Sequence, residues 1–198
     1  MGLRRFAKAV VFAVSAVLVL PLAAASWIEK RLAAGEAVFT FCAQSLALVP
    51  GLPGSWLRAA FYGFALDDCA WEVHIGFGSH FSHRGAVVGP QASMGSYCVI
   101  GHARIGRRAM IGSRVSIPSG KRQHLDEGGR LSGSEGRFDT VTVGDGCWIG
   151  EGAILLADVG AGSIVSAGAV VVQPAPAGSL VGGNPARVLR ALDPDQQG

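Results

Sequence analysis

Two hydrophobic rhythms divide the 198-residue chain. From Ala9 to Ile28 no charged residue interrupts the apolar run. A helix of about twenty residues is about 30 Å long, the thickness of a bilayer's hydrocarbon core. A short polar stretch with Glu29, Lys30, Arg31 and Glu36 follows. A second uncharged run then extends from Ala37 to Trp56, broken by Pro50-Gly51-Leu52-Pro53-Gly54, a cluster that ends a helix. Past residue 72 the rhythm changes to a step of six. Val143, Ile149 and Leu155 keep it, with Gly144 and Gly150 directly behind the first two. Val159, Val165 and Val171 repeat it after a slip.

A period of six is neither helical nor a plain alternation. It predicts a chain wound into a parallel β-helix, in which each hexapeptide forms one short flat side. Stepping back by six gives Ile75, Phe81, Val87, Ser93, Val99, Ile105, Ile111 and Ile117 as the expected inward positions. Gly89, Gly95 and Gly101 also step by six, and Gly106 and Gly112 resume one residue short. Between Ile117 and Val143 the pattern stops. Residues 118–140 are polar, glycine-rich and without apolar period, which predicts a functional loop extruded from one corner. Leu155 to Val159 predicts a tight corner, and the strand count predicts four to five coils. Ala186 to Leu192 is expected to form a short closing helix, and Asp193 to Gly198 a frayed tail.

Three pieces carry a family resemblance: Val143-Gly144-Asp145 with Trp148-Ile149-Gly150, Ala167-Gly168-Ala169-Val170-Val171, and Gly183-Asn184-Pro185-Ala186-Arg187. Over roughly residues 75–190 the chain resembles the hexapeptide-repeat acyltransferases, in particular the O-acetyltransferases that modify sugars and polysaccharides. The fold this implies is all-β, a left-handed parallel β-helix with an N-terminal hydrophobic helical membrane segment and an extruded loop. Residues 1–72 form the membrane-associated region, with a transmembrane helix at 9–28 and a second apolar segment at 37–56. Residues 73–182 form the β-helix with loop 118–140, and residues 183–198 the C-terminal tail.

Composition narrows the function. Hydrophobic residues are 49% and charged ones 16% of the sequence, and the mean hydropathy is +0.38, so part of the chain is expected to meet lipid. Basic residues before the first run predict a cytoplasmic N-terminus and Trp27 an interfacial anchor. The same stretch, with Ala23-Ala24-Ala25, also reads as a cleavable signal peptide. The second run reads as the return leg of a hairpin, as an interfacial helix bearing Arg58, Phe61, Tyr62 and Phe64, or as a helix packed on the end of the β-helix. The expected location is a bacterial-type inner membrane with the catalytic domain on its cytoplasmic face. A net charge of +3 without a basic stripe argues against nucleic acid. Cys42, Cys69, Cys98 and Cys147 form no CxxC pair, so no metal site is expected and the thiols read as small hydrophobes.

Of five histidines, His74, His80, His83 and His102 lie in or beside the coils. His124 lies on the loop, flanked by Gln123 and Asp126. The resemblance implies acetyl transfer from acetyl-CoA with a histidine base, placed in one branch just after the Trp-Ile-Gly strand. Here Glu151-Gly152 follows instead. A second branch carries the base on an extruded loop near an Asn or Gln, which Gln123-His124 matches, with Asp126 to orient the ring and His102 in reserve. By the same resemblance Ala167 and Gly168 meet the pantetheine arm of coenzyme A, and Asn184, Arg187 and Arg190 its adenosine and phosphates. Trp148 walls the acceptor pocket, and the assembly is a homotrimer acting on a sugar or glycolipid. The rival readings are an N-acetyltransferase on an amino sugar, a γ-type carbonic anhydrase using His80, His83 and His102, and a non-catalytic β-helix scaffold.

Overall fold

The computed structural model describes residues 3–32, 35–120 and 138–193. Three helices come first: α1 (Leu3–Leu32), α2 (Ala37–Ala47) and α3 (Gly51–Ala65). The Pro-Gly cluster separates α2 from α3, and Pro53 falls in the first turn of α3, where no helical acceptor is needed. Gly54 is required there, because a Cβ would lie 1.9 Å from the Val49 carbonyl oxygen.

The rest of the chain winds as a solenoid of about five turns. The first coil carries β1 (Asp68–Cys69), β2 (His74–Ile75) and β3 (His80–Phe81). The second carries β4 (Val87–Val88), β5 (Ser93–Met94) and β6 (Val99–Ile100), and the third β7 (Ala103–Ile105), β8 (Met110–Ile111) and β9 (Ser116–Ile117). After residues 118–140, the fourth coil carries β10 (Val141–Val143), β11 (Trp148–Ile149) and β12 (Ile154–Leu155). The fifth has a bridge at Val159, then β13 (Ile164–Val165) and β14 (Val170–Val171). A bridge at Ala175, β15 (Ser179–Gly183) and β16 (Ala186–Ala191) close the end. Three parallel faces result, in the orders β1-β4-β7-β10, β2-β5-β8-β11-β13-β15 and β3-β6-β9-β12-β14.

One large inward residue per side fills the core: Ile75, Phe81, Val88, Met94, Ile100, Ile105, Ile111, Ile117, Val143, Ile149, Leu155, Val159, Val165 and Val171 are all buried. Two residues earlier on most sides stands a small buried partner such as Ala92, Cys98, Ala109, Cys147, Ala153 or Ala169. Strand alternation turns both inward. The second coil departs from the expected register. Val88, Met94 and Ile100 point in, whereas Val87, Ser93 and Val99 are half-buried or exposed. The cause is a step of seven from Phe81 to Val88, repaid by a step of five from Ile100 to Ile105.

Every irregular step falls at one edge. From the first face to the second and on to the third, the chain always advances by six. From the third face back to the first it takes seven, five, the excursion 118–140, then four (Leu155 to Val159) and four (Val171 to Ala175). We term this edge the return corner. The expected tight corner at Leu155–Val159 is one of its two four-residue steps, braced by Asp158 Oδ1, which accepts from the Thr142 amide at 2.7 Å.

Both ends are closed. At the N-terminal end, α2 and α3 pack on the first coil. Phe39, Phe61, Tyr62 and Phe81 form one aromatic plug, with Tyr62 edge-on to Phe81 at 4.8 Å. Arg58 is fully buried, and among the described residues no carboxylate pairs with it. Its guanidinium donates to the Leu46, Ala47 and Val49 carbonyls at the end of α2 and to the Ile75 carbonyl of the first coil. The negative end of the α2 dipole offsets its charge. At the C-terminal end, Ala186–Ala191 is a strand and not the expected helix. It pairs antiparallel with β15 and covers an edge that would otherwise template another chain. Among the described residues no buried side-chain polar atom lacks a partner.

Candidate active site

Loop 118–140 leaves and rejoins the solenoid at the return corner, and its two roots are tied together. The Asp139 amide donates to the Ser119 carbonyl at 2.9 Å. Ser119 Oγ, buried, accepts from the His102 amide at 2.8 Å. Gln123, His124 and Asp126 lie outside the described residues. The roots stand against a pair of rings contributed by the two preceding passages of the same corner.

His83, at the first passage, and His102, at the second, have ring centroids 4.8 Å apart. Phe138, at the returning root of the loop, packs on both, at 4.8 Å from His83 and 5.6 Å from His102. His83 Nδ1 lies 2.7 Å from Glu36 Oε2, and the other carboxylate oxygen accepts from the Arg84 amide at 3.0 Å. A carboxylate on Nδ1 selects the tautomer with its proton there, which puts the lone pair of neutral His83 on Nε2. Burial holds the His102 imidazole below its ordinary value, and the neighbouring His83 adds to this. His102 is therefore neutral near pH 7 and able to accept a proton. Gly85 makes room for its ring, since a Cβ there would come within 2.6 Å of Cε1 and Nδ1.

Behind this pair a buried network reaches the N-terminal helices. Arg84 donates to the Glu29 carboxylate and to the Ser26 carbonyl, and Glu29 accepts the Val38 and Phe39 amides at the start of α2. Glu29 thereby satisfies orphan donors of the α2 N-terminus.

The remaining candidates lie on other edges. Trp148 stands half-exposed on the outer surface of the second face, between Met110 and Ile164. That face lies across the prism from the return corner. Ala167 and Gly168 form the corner between the second and third faces, and the Gly168 amide bonds the Glu151 carbonyl. Asn184 turns the chain from β15 into β16. Arg187 and Arg190 are exposed on β16, where Arg187 donates to the Ala186 carbonyl and Arg190 to the Ala191 carbonyl. His80 is on β3. His74 bonds Ser55 at 3.1 Å beside a cavity of about 570 Å³, walled by Phe12, Trp56 and Trp71 at a different edge from the loop. Among the described residues no group of three His, Cys, Asp or Glu side chains is placed to hold a metal ion. The four cysteines are free thiols, and burial raises those of Cys98 and Cys147 and pushes Cys69 up to about 12.

Sequence reading missed the assembly of His83, His102, Glu36 and Phe138. The residues are 19 to 102 positions apart in the sequence, and only the winding brings them together. One signal was available, the glycine step that shortens between Gly101 and Gly106 and so brackets His102.

No protein-family model matches the chain, and no curated protein matches it. Solved structures do. A hexapeptide-repeat-containing acetyltransferase from Vibrio cholerae superposes with a TM-score of 0.65 at 24% identity, over 75% of this chain and 88% of its own. It has also been solved with acetyl coenzyme A. A maltose O-acetyltransferase from Clostridium difficile gives a TM-score of 0.65 at 20% identity, over 76% and 82%. A galactoside acetyltransferase in complex with coenzyme A gives 0.58 at 16%, over 78% and 79%. The chain has the left-handed parallel β-helix fold of these hexapeptide-repeat acetyltransferases.

Proposed function

We propose that this chain is an acetyl-CoA-dependent O-acetyltransferase that acts at a membrane on a sugar hydroxyl of a cell-surface polysaccharide or its lipid-linked precursor. The observation that carries the reading is the return corner. On a fold shared with acetyl-CoA-binding transferases, the one long excursion emerges beside two neighbouring imidazoles and carries a third, His124, in its sequence.

His124 acts as general base. A sugar hydroxyl is a poor nucleophile at neutral pH, and the imidazole takes its proton as the oxygen attacks the thioester carbonyl. The C–O bond forms, the C–S bond breaks, and the same proton passes to the departing thiolate. Asp126 orients the ring, Gln123 contacts the acceptor, and backbone N–H groups at a glycine corner hold the oxyanion. Ala167 and Gly168 bond the pantetheine amides, and Asn184, Arg187 and Arg190 the adenosine and phosphates. Transfer is direct, with both substrates side by side.

Within one chain Trp148 and the loop root stand on opposite sides of the prism, so a pocket using both needs a second copy. A homotrimer supplies it. The helical cap holds the assembly at the cytoplasmic face of a bacterial-type inner membrane, where a lipid-borne acceptor is presented.

The test is release of free coenzyme A thiol by the full chain with candidate sugars and glycolipids. His124→Ala is expected to lower kcat about 10²- to 10⁴-fold, the usual worth of a general base, with little change in KM for acetyl-CoA. The pairing of His102 with His83 and Glu36 favours a second assignment, His102 as base. It gains if His102→Ala produces the larger loss. No protection of the chain against thermal unfolding by millimolar-range acetyl-CoA would leave the scaffold reading in its place.

A further inference from the structure

The outward surface of α1 is more apolar than the surface it buries. Its protein-facing stripe is Phe12, Ser15, Val19, Ala23, Ser26 and Glu29, three of them polar. Its opposite face exposes Val10, Val14, Val17, Leu18, Leu20, Trp27 and Ile28. A helix facing water has the reverse distribution. The same inversion continues over the cap, where Phe41, Leu48, Leu52 and Phe64 are exposed. The most apolar 18-residue window within residues 8–32 has a mean hydropathy of 2.4, and the helix is long and apolar enough to cross a membrane by length and composition.

Crossing is incompatible with how α1 is held. Phe12 packs on Trp71 at 5.9 Å, and near its other end Ser26 and Glu29 bind Arg84 while Lys30 pairs with Asp67 at 3.5 Å. Trp71, Arg84 and Asp67 all belong to the first coil. From Phe12 to Glu29 the helix advances roughly 25 Å. A perpendicular α1 would carry this coil, with its charges and strand edges, through most of the hydrocarbon layer. Backbone and charges of that kind have no partners in lipid. Exposed Lys8, Lys30 and Arg31 flank the apolar face, with Arg31 folded over Trp27 at 4.8 Å, suited to anionic headgroups at the interface.

We infer that the three-helix cap is a monotopic dock for an anionic lipid bilayer, with α1 lying in the plane of the interface and the solenoid standing on it. The dock goes beyond the proposed transferase reaction and is tested without it. The full chain is expected to float with vesicles of phosphatidylethanolamine and phosphatidylglycerol, and less with phosphatidylcholine alone. Epitope tags at the two termini are expected on the same side: both protected from protease in intact spheroplasts, both cleaved in sealed inverted vesicles. Tags on opposite sides would overturn the in-plane arrangement. Val17→Glu with Leu18→Glu is expected to cut the floated fraction about tenfold or more while cooperative thermal unfolding is kept. Unchanged flotation of a folded variant, or a wild-type chain that hides this face in a lipid-free oligomer and does not float, would overturn the dock. If the variant fails to fold, the tag arrangement alone decides. Thiol release from acetyl-CoA is scored separately, so either reading can fail without the other.

Discussion

His102 and Gly85 divide a space that cannot hold a ring and a methyl group together. Partial burial, with His83 alongside, holds the ionisation of the imidazole below its ordinary value. His74, wedged beside Ser55, is also held below the ordinary imidazole value, by burial first and by the Arg58 charge second. The sign of the resulting pH dependence is fixed. As pH falls through about 6.5, the unfolded chain takes up protons at these two positions before the native one does. Stability therefore drops with falling pH, and levels off once the native rings are protonated too. A thermal midpoint measured between about pH 7.5 and 5.5 is expected to fall. The double variant His74→Gln with His102→Gln is expected to flatten that slope. Little of this was legible in the sequence. A histidine's neighbours in a solenoid are set by the length of each coil, and the two passages that bring His83 against His102 differ from the regular step in opposite senses.

Within a strand-and-corner element, two glycines near each other answer to different forces. A Cβ on Gly150 would sit 2.4 Å from the Ala167 amide nitrogen of the next coil, so the coils must part to admit it. Gly152 has open space but a φ of +68°. The corresponding corner positions Gln91, Tyr97, Arg108 and Arg114 adopt the same left-handed conformation with a side chain. Gly152→Ala is expected to cost about 1 kcal/mol, and Gly150→Ala distinctly more, read as urea midpoints at unchanged m. The glycines also explain which part of the register was readable. Those at 89, 95 and 101 each follow an inward residue, so they marked Val88, Met94 and Ile100 correctly. The apolar track misled, because Val87-Val88 and Val99-Ile100 offer two acceptable hydrophobes at one site. Ala186–Ala191 misled differently. Its Ala, Leu and Arg content favours helix, but pairing with the exposed edge of β15 outweighs a local preference worth tenths of a kcal/mol per residue.

For the whole molecule, the distance across the prism between the return corner and Trp148 has a kinetic signature. If each proposed site takes its loop from one subunit and its tryptophan wall from another, His124→Ala and Trp148→Ala chains are individually poor catalysts. Co-expressed as mixed trimers, they are expected to regain a measurable fraction of thiol release, because some sites then pair an intact loop with an intact wall. Recovery no greater than the sum of the separate variants would overturn the shared site between subunits. The six-residue period made the solenoid itself legible, since no other architecture has that repeat. The helical cap was not, because length and hydropathy describe a spanning helix and a flat one alike, and only its attachments to the first coil tell them apart.

The edge that absorbs every change of length also separates two kinds of sequence change. Along the other two corners, adding or removing a residue would turn inward side chains outward through the rest of a side. At the return corner, steps of four, five and seven and a long excursion are all accommodated with the walls in register. Peptides of different length and chemistry can therefore be spliced in at that edge, for instance in place of Leu156–Asp158, while the scaffold above and below keeps its pairing. Under the proposed function, acceptor preference would diverge by exchange of a single segment at that edge, with the corner proposed to meet the acyl donor left as it was.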